Sequence, residues 1–241
     1  MQQQKIVSPD DWRAARKELL AKEKALTRAR DQLAAERRSL PWVEVDKSYM
    51  FDTPAGKKTL AELFGDKSQL FVYHFMLGPG WGEGCPSCSF LADQFDGAAI
   101  HLAARDVALV AVSRAPLTKI EAFKRRMGWR FEWVSSFGSD FNFDYQVSFR
   151  DEEVNAEGDY NYARQRIRSD EMPGASVFYK DADGAVFHTY STYGRGLDIL
   201  IGPYNFLDLT PKGRDEADLP WTMAWVRHHD RYDAAKSSKE T

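Results

Sequence analysis

Gln69-Leu70-Phe71-Val72-Tyr73-His74-Phe75-Met76-Leu77 runs through Gly78-Pro79-Gly80-Trp81-Gly82-Glu83-Gly84 into Cys85-Pro86-Ser87-Cys88. The first stretch is a near-continuous apolar run, which predicts a strand covered on both faces. The glycine-rich stretch predicts a loop, and the pattern from Pro86 to about Arg105 predicts a helix. Cys85 then falls at the helix N-cap, where free backbone N–H groups and the helix dipole favour a thiolate. Pro86 takes the first helical position, where its missing N–H costs nothing. Cys88, one turn in, reaches the Cys85 sulfur while staying more buried. This predicts a division of labour in which Cys85 attacks a disulfide and Cys88 resolves the mixed disulfide. Glu83, two residues before Cys85, opposes the thiolate if its charge lies close.

Beyond this centre, Val107 to Ser113 (VALVAVS) predicts a second buried strand and Leu117 to Met127 another helix. Strand–helix–strand–helix implies a parallel sheet with helices on its faces. Ala175 to Tyr179 and Val186 to Tyr190 flank Lys180-Asp181-Ala182-Asp183-Gly184, a hairpin signal. Residues 128 to 170 between the halves read as irregular, aromatic at first (Trp129, Phe131, Trp133, Phe137, Phe141, Phe143, Tyr145) and charged later. Towards the N-terminus, Met50-Phe51 predicts a short strand, residues 52–57 a turn, and Leu60 to Phe64 a brief helix. Residues 8 to 38 predict one long helix, with Ser8 as cap, Pro9 at the first position and Asp10 and Asp11 at the positive end of the dipole.

Trp12, Leu19, Leu26, Leu33 and Leu40 recur every seven residues along that helix, but the companion row (Ala15, Lys22, Ala29, Glu36) is not apolar. A full coiled-coil seam needs both rows. The stripe fits an amphipathic arm laid on its own domain, and it permits a homodimer through the helix without requiring one. The expected organisation is a helical arm over residues 1–42, an α/β domain over 43–210 with an aromatic and charged insertion near 128–171, and a tail segment over 211–241.

Hydrophobic residues make up 43% and charged residues 29% of the 241, a globular composition. The net charge of −3 gives no reason to expect a nucleic-acid or membrane-surface partner. No secretory signal or spanning segment is read, so a cytoplasmic protein is expected, where structural disulfides are rare. A pair of cysteines three apart, the only two in the chain, therefore asks for another reason. A zinc site would need two more ligands, and His74, His101, His188, His228 and His229 form no ligand knuckle. His228-His229-Asp230 reads as a polar tail. No cofactor and no metal are expected.

Met172-Pro173-Gly174 precedes the Ala175 strand, and a proline belongs at or before a strand's first residue. This is either a plain strand start or a loop that presents backbone to an extended substrate. Strand, Cys-x-x-Cys at a helix start, strand, helix, then proline before a hairpin resembles the thioredoxin superfamily. VYHFMLGPGW, GCPSCSFLAD, KRRMGWRFEWVSS, PGASVFYKDADGAVFHTYSTYGRG and LTPKGRDE resemble more closely a bacterial family of thioredoxin-like, predicted dithiol–disulfide oxidoreductases of unknown substrate. The resemblance implies a thioredoxin-like fold, a central mixed sheet flanked by helices, with a long N-terminal helix and a C-terminal extension. It implies Cys85 as nucleophile, Cys88 as resolving thiol and Pro173 as a cis-proline. Pro173, Met172 and Trp81 are the candidate substrate-binding residues. Gly84 stands where ordinary thioredoxins carry tryptophan, and the strand holds no buried acid; its ionisable members are Tyr73 and His74, and His74 reads foremost as a core residue.

The first expectation for function is exchange with a protein or small-molecule disulfide or thiol. The second is a thiol peroxidase on the same fold, in which peroxide oxidises Cys85 to a sulfenic acid that Cys88 condenses with. Thr59-Leu60-Ala61-Glu62-Leu63 resembles a stretch of such peroxidases, but they carry a threonine three residues before the reactive cysteine, where this chain has Gly82. The third is a non-enzymatic binding module on a thioredoxin scaffold.

Overall fold

The computed structural model describes residues 4–232. The chain divides into two compact units, residues 1–41 and residues 42–241. The first is helix α1 (Pro9–Arg38): Ser8 Oγ accepts the Asp11 N–H at 3.2 Å, Pro9 opens the first turn, and Arg37 and Arg38 close the last one. This satisfies an otherwise unpaired donor and places each charge at its favourable dipole end. None of the helix residues is buried, and Trp12, Leu19, Leu26 and Leu33 stand exposed along their stripe.

The second unit begins with β1 (Val43–Glu44), then the hairpin β2 (Met50–Thr53) and β3 (Gly56–Thr59), and a 3₁₀ turn over Ala61–Phe64. The central apolar run forms β4 (Gln69–His74) and leads to α2 (Pro86–Ala92) and α3 (Phe95–Ala103). Then follow β5 (Val107–Ser113), α4 (Leu117–Arg126), β6 (Glu132–Ser135), α5 (Phe141–Asp144), and the separate hairpin of β7 (Glu157–Tyr160) and β8 (Ala163–Arg166). The long hairpin of β9 (Gly174–Lys180) and β10 (Val186–Tyr193) precedes the last helix, α6 (Gly202–Leu207). Among the described residues no helix is long and apolar enough to cross a membrane.

Eight strands share one sheet in the order β1-β10-β9-β4-β5-β6-β2-β3. β4, β5 and β6 are parallel, as helical crossovers require. β9 returns antiparallel to β4, and β10 antiparallel to β9. This mixed sheet with helices against it is the thioredoxin-like fold, extended at both edges. Side chains on β4 alternate between two cores. Tyr73 joins Phe75, Cys88, Leu91, Phe95, Trp129 and Trp133 on one face. Leu70 and Val72 join Phe51, Phe64, Val110, Val112, Phe141 and Phe178 on the other. Each fully buried aromatic or aliphatic side chain contributes about 1.5–3 kcal/mol of transfer free energy, so both layers are needed to hold the central strand.

Three elements depart from the sequence expectation. The single helix expected from Pro86 to Arg105 breaks at Asp93-Gln94. There the Gln94 side-chain amide reaches distant backbone, its Oε1 accepting from the Gly202 N–H at 3.0 Å and its Nε2 donating to the Leu200 carbonyl at 3.3 Å. The aromatic stretch contains β6, where Trp133 and Val134 face opposite cores. The charged stretch contains the β7–β8 hairpin, closed by Asn161 and Tyr162 at φ 55° and 61°, the left-handed pair that a tight two-residue turn demands.

Candidate active site

Cys85 occupies the N-cap of α2, with Pro86 at the first helical position. Its N–H donates to the Met76 carbonyl at 3.1 Å, and its carbonyl accepts both the N–H and the hydroxyl of Ser89 at 2.9 Å. Gly84 is required: a Cβ there would lie 2.7 Å from Phe123 and 2.8 Å from Phe75. Cys85 is half-buried, whereas Cys88 is 1% exposed inside the core. The two thiols are free and 3.9 Å apart. A hydrogen bond from Cys88 leads in holding the Cys85 thiol down to about 7, helped by the N–H groups of Cys88 and Ser87 and opposed by burial. Burial pushes the Cys88 thiol well up, and the neighbouring Cys85 adds to it.

Tyr73 reaches the same pair from β4. Its hydroxyl hydrogen-bonds Cys88, which favours the Cys88 thiolate, while burial first and Cys88 second hold the phenol protonated. His74, the other ionisable side chain of the strand, lies on the opposite face. There it stacks on Tyr145 at 5.9 Å between ring centroids, and its Nε2 pairs with Ser176 Oγ at 2.8 Å. Period-two alternation separates these neighbours, so Tyr73 is the residue that touches the thiols.

Trp81 packs, with Cys85, against the core that holds Cys88. Its indole N–H donates to Asp170 at 2.9 Å, and Lys119 ties down the carbonyls of Pro79 and Trp81 at 2.7 Å each. Asp170 and Glu171 both meet Arg114, at 3.5 and 2.7 Å, and Ser148 donates to Glu171 at 2.7 Å. Burial raises the Glu171 carboxyl to about 7 against the opposing pull of Arg114.

Met172 and Pro173 follow directly. The peptide before Pro173 is trans, which corrects the cis bond the resemblance implies; among the described residues no peptide bond is cis. Met172 donates its N–H to Val147 at 2.8 Å and the Pro173 carbonyl accepts the Tyr160 hydroxyl at 2.6 Å, both from the trans chain, the isomer an X–Pro bond prefers by about 0.5–1 kcal/mol. Tyr160 lies close enough for the Cys88 charge to raise its phenol further beyond what burial does. Tyr160 thus holds the Pro173 loop, and Met172 packs beside Tyr160 in a small third core.

Glu83 meets two guanidinium groups, Arg126 at 2.9 Å and Arg231 at 2.7 Å, and the first of its stabilising bonds, from Arg231, holds its carboxyl below the ordinary range. His228 Nε2 bonds the Gly84 carbonyl at 2.8 Å, His229 meets Asp93 at 2.6 Å, and Asp230 meets Arg126 at 2.8 Å. The three consecutive tail residues therefore serve three different partners. Sequence reasoning missed Tyr160, Glu171, His228 and Arg231. A buried acid directly before Met172-Pro173 was a readable signal for Glu171; nothing local marks the tail residues.

The sequence model of a family described as a bacterial protein of unknown function (DUF899) matches residues 1–232. No curated protein matches the chain. Among solved structures, a cysteine-to-serine mutant of PrxQ from Xylella fastidiosa is similar at 13% identity, over 67% of this chain and 89% of that one, with a TM-score of 0.41. The mitochondrial 2-Cys peroxiredoxin of Plasmodium falciparum is similar at 14% identity, over 69% and 92%, with a TM-score of 0.40. A mutant of peroxiredoxin Q from Xanthomonas campestris is similar at 14% identity, over 70% and 98%, with a TM-score of 0.41.

Proposed function

This chain belongs to that bacterial family of unknown function, and within it we propose a thiol–disulfide oxidoreductase with Cys85 as nucleophile and Cys88 as resolving thiol. The observation that carries the reading is the inequality of the pair. One thiol is reachable and held down to about 7, and the other, 3.9 Å away, is buried and held up. A thiolate near neutrality is both populated and nucleophilic, the condition exchange chemistry needs.

The Cys85 thiolate attacks one sulfur of a disulfide, forming a mixed disulfide and expelling the other sulfur as a thiolate that takes up a proton. Cys88 then loses its proton and attacks the Cys85 sulfur, breaking the mixed bond and expelling the second substrate thiolate. The substrate gains two electrons and two protons; the pair becomes a disulfide. An external dithiol reductant returns it to the thiol form by the same steps reversed. Tyr73 donates its hydrogen bond to Cys88 as charge develops there. Trp81, Met172 and Pro173 are the surfaces we assign to the substrate. We assign the reaction to the cytoplasm, where dithiol reductants keep such pairs reduced.

The test is turnover of a model disulfide with the reductant supplied in excess. Cys85→Ser is expected to lose exchange entirely with an unchanged far-UV spectrum, and Cys88→Ser to accumulate mixed disulfides visible by mass spectrometry. Retained turnover in Cys85→Ser would retire the reading. Peroxide consumption outrunning model-disulfide exchange would assign the same thiol to peroxidase chemistry instead.

A further inference from the structure

Glu83 stands two residues before the half-buried Cys85 and is held in its ionised form. A fixed negative charge there opposes formation of a thiolate. The far end of the chain meets that charge directly. Arg231 donates Nη1 to Oε1 at 2.9 Å and Nη2 to Oε2 at 2.7 Å, a bidentate clamp, and Arg126 adds Nη1 to Oε2 at 2.9 Å. Asp230 holds Arg126 from its other side at 2.8 and 2.9 Å.

His228 between them is 1% exposed and is engaged on both ring nitrogens. Arg126 has only donors to offer, so Nδ1, 3.2 Å from Nη2, must accept. Nε2 therefore carries the proton and donates it to the Gly84 carbonyl at 2.8 Å. The Gly84–Cys85 peptide is thus fixed at both ends, its oxygen by His228 and its N–H by the Met76 carbonyl at 3.1 Å.

We infer that residues 228–231 are a clamp that sets the charge and position of the reactive thiol: Arg231, with Arg126, neutralises Glu83, and His228 anchors the peptide that carries Cys85. This rests on the reading of Cys85 as the nucleophile. The groups that act on Cys85 itself are Cys88 and Ser87 of α2, with Tyr73 of β4 bonded to Cys88 behind them; those that face Glu83 are Arg126 of α4 and His228 and Arg231 of the tail segment. Charge counting makes the prediction specific. Glu83, Asp230, Arg126 and Arg231 sum to zero, and loss of either arginine leaves the cluster, which begins two residues before Cys85, with a net charge of −1. Glu83 and Arg231 are 41% and 48% exposed, so the pair contributes little to global stability and its effect belongs on the thiol.

The experiment is the rate of alkylation of Cys85 by iodoacetamide across pH 5–10, resolved from Cys88 by peptide mass spectrometry, in the full chain. Arg231→Ala is expected to raise the Cys85 pKa by about half a unit, the size that solvent screening leaves to an exposed charge. Adding Glu83→Gln to it is expected to bring the value back, and Arg231→Lys to keep most of the wild-type value. Glu83→Gln alone, which leaves the fold's apolar contacts intact, is expected to lower it further. High salt should shrink each difference. A Cys85 titration indifferent to Arg231, or an Arg231→Ala shift that Glu83→Gln does not reverse, overturns the clamp. Shifts that appear as stated in a protein that exchanges no disulfide would retire the proposed activity and leave the clamp standing.

Discussion

Tyr73 and His74 are adjacent in β4, both buried and both polar, and they meet opposite fates. Tyr73 faces the layer that opens to Cys85, and its hydroxyl serves a sulfur that changes charge in the proposed reaction. His74 faces the opposite layer. Its Nε2 joins a chain of two buried hydroxyls, Ser176 at 2.8 Å and then Ser191 at 2.8 Å, which ends on the half-buried His188 at 2.7 Å. Its Nδ1 has no partner. Burial holds the imidazole down to about 3, so it is neutral at every working pH. The contrast teaches that burial alone does not assign a role: Tyr73 meets a sulfur that can change charge, whereas His74 meets only hydroxyls and rings, and there its burial lowers stability wherever the unfolded imidazole would be protonated.

The largest expected effect falls on the face that holds His74. With a folded value near 3 against 6.5 unfolded, the unfolded chain binds the extra proton between those limits. His74 therefore leaves stability intact above pH 6.5 and erodes it as pH falls towards 3, by about 4–5 kcal/mol in full. Denaturant midpoints should lose that slope between pH 3 and 4.5 in His74→Leu, where no opposing group covers it. An unchanged slope would break the contrast.

Glu171, near the Pro173 loop, has the opposite sign. Its folded value of about 7 exceeds 4.5, so its contribution is present at low pH and lost as pH rises through about 7, amounting to about 3 kcal/mol. Between pH 4.5 and 6.5 the two groups cancel. Glu171→Gln is expected to leave the His74 slope uncovered there, and the double variant to be flat. A single-variant profile that matches wild type would show that Arg114 keeps the carboxylate charged.

The smallest effect tests the open face. Tyr73→Phe removes one hydrogen bond from Cys88 and should lengthen the life of the mixed disulfide about tenfold, with the first attack by Cys85 unchanged. Stopped-flow capture of the mixed disulfide would measure both. Equal lifetimes would make Tyr73 as inert towards the reaction as His74.

Much of this arrangement is legible in the sequence. The apolar run of β4, the N-cap position of Cys85 and the β9–β10 hairpin follow from local pattern, as does the face that Tyr73 shares with Phe75. What is not legible depends on distant partners. β6 hides in the aromatic stretch because Trp133 and Val134 are both apolar, leaving no alternation to read in a strand buried on both sides. The break after α2 falls at Gln94, whose side chain is bonded to backbone near Gly202, more than a hundred residues on. The partners of the Met172-Pro173 segment, Tyr160 and Val147, are named by no proline pattern. Nothing near Cys85 announces Arg231.

The bond from His228 to Gly84 joins residues 144 positions apart. On the ribosome, synthesis reaches Cys85 and Glu83 long before His228 and Arg231. Until the tail emerges Glu83 has Arg126 alone, an arginine it shares with Asp230. The clamp is therefore the last part of the site to be made, and the strand, loop and helix that carry Cys85 are all synthesised before the residues that close on them.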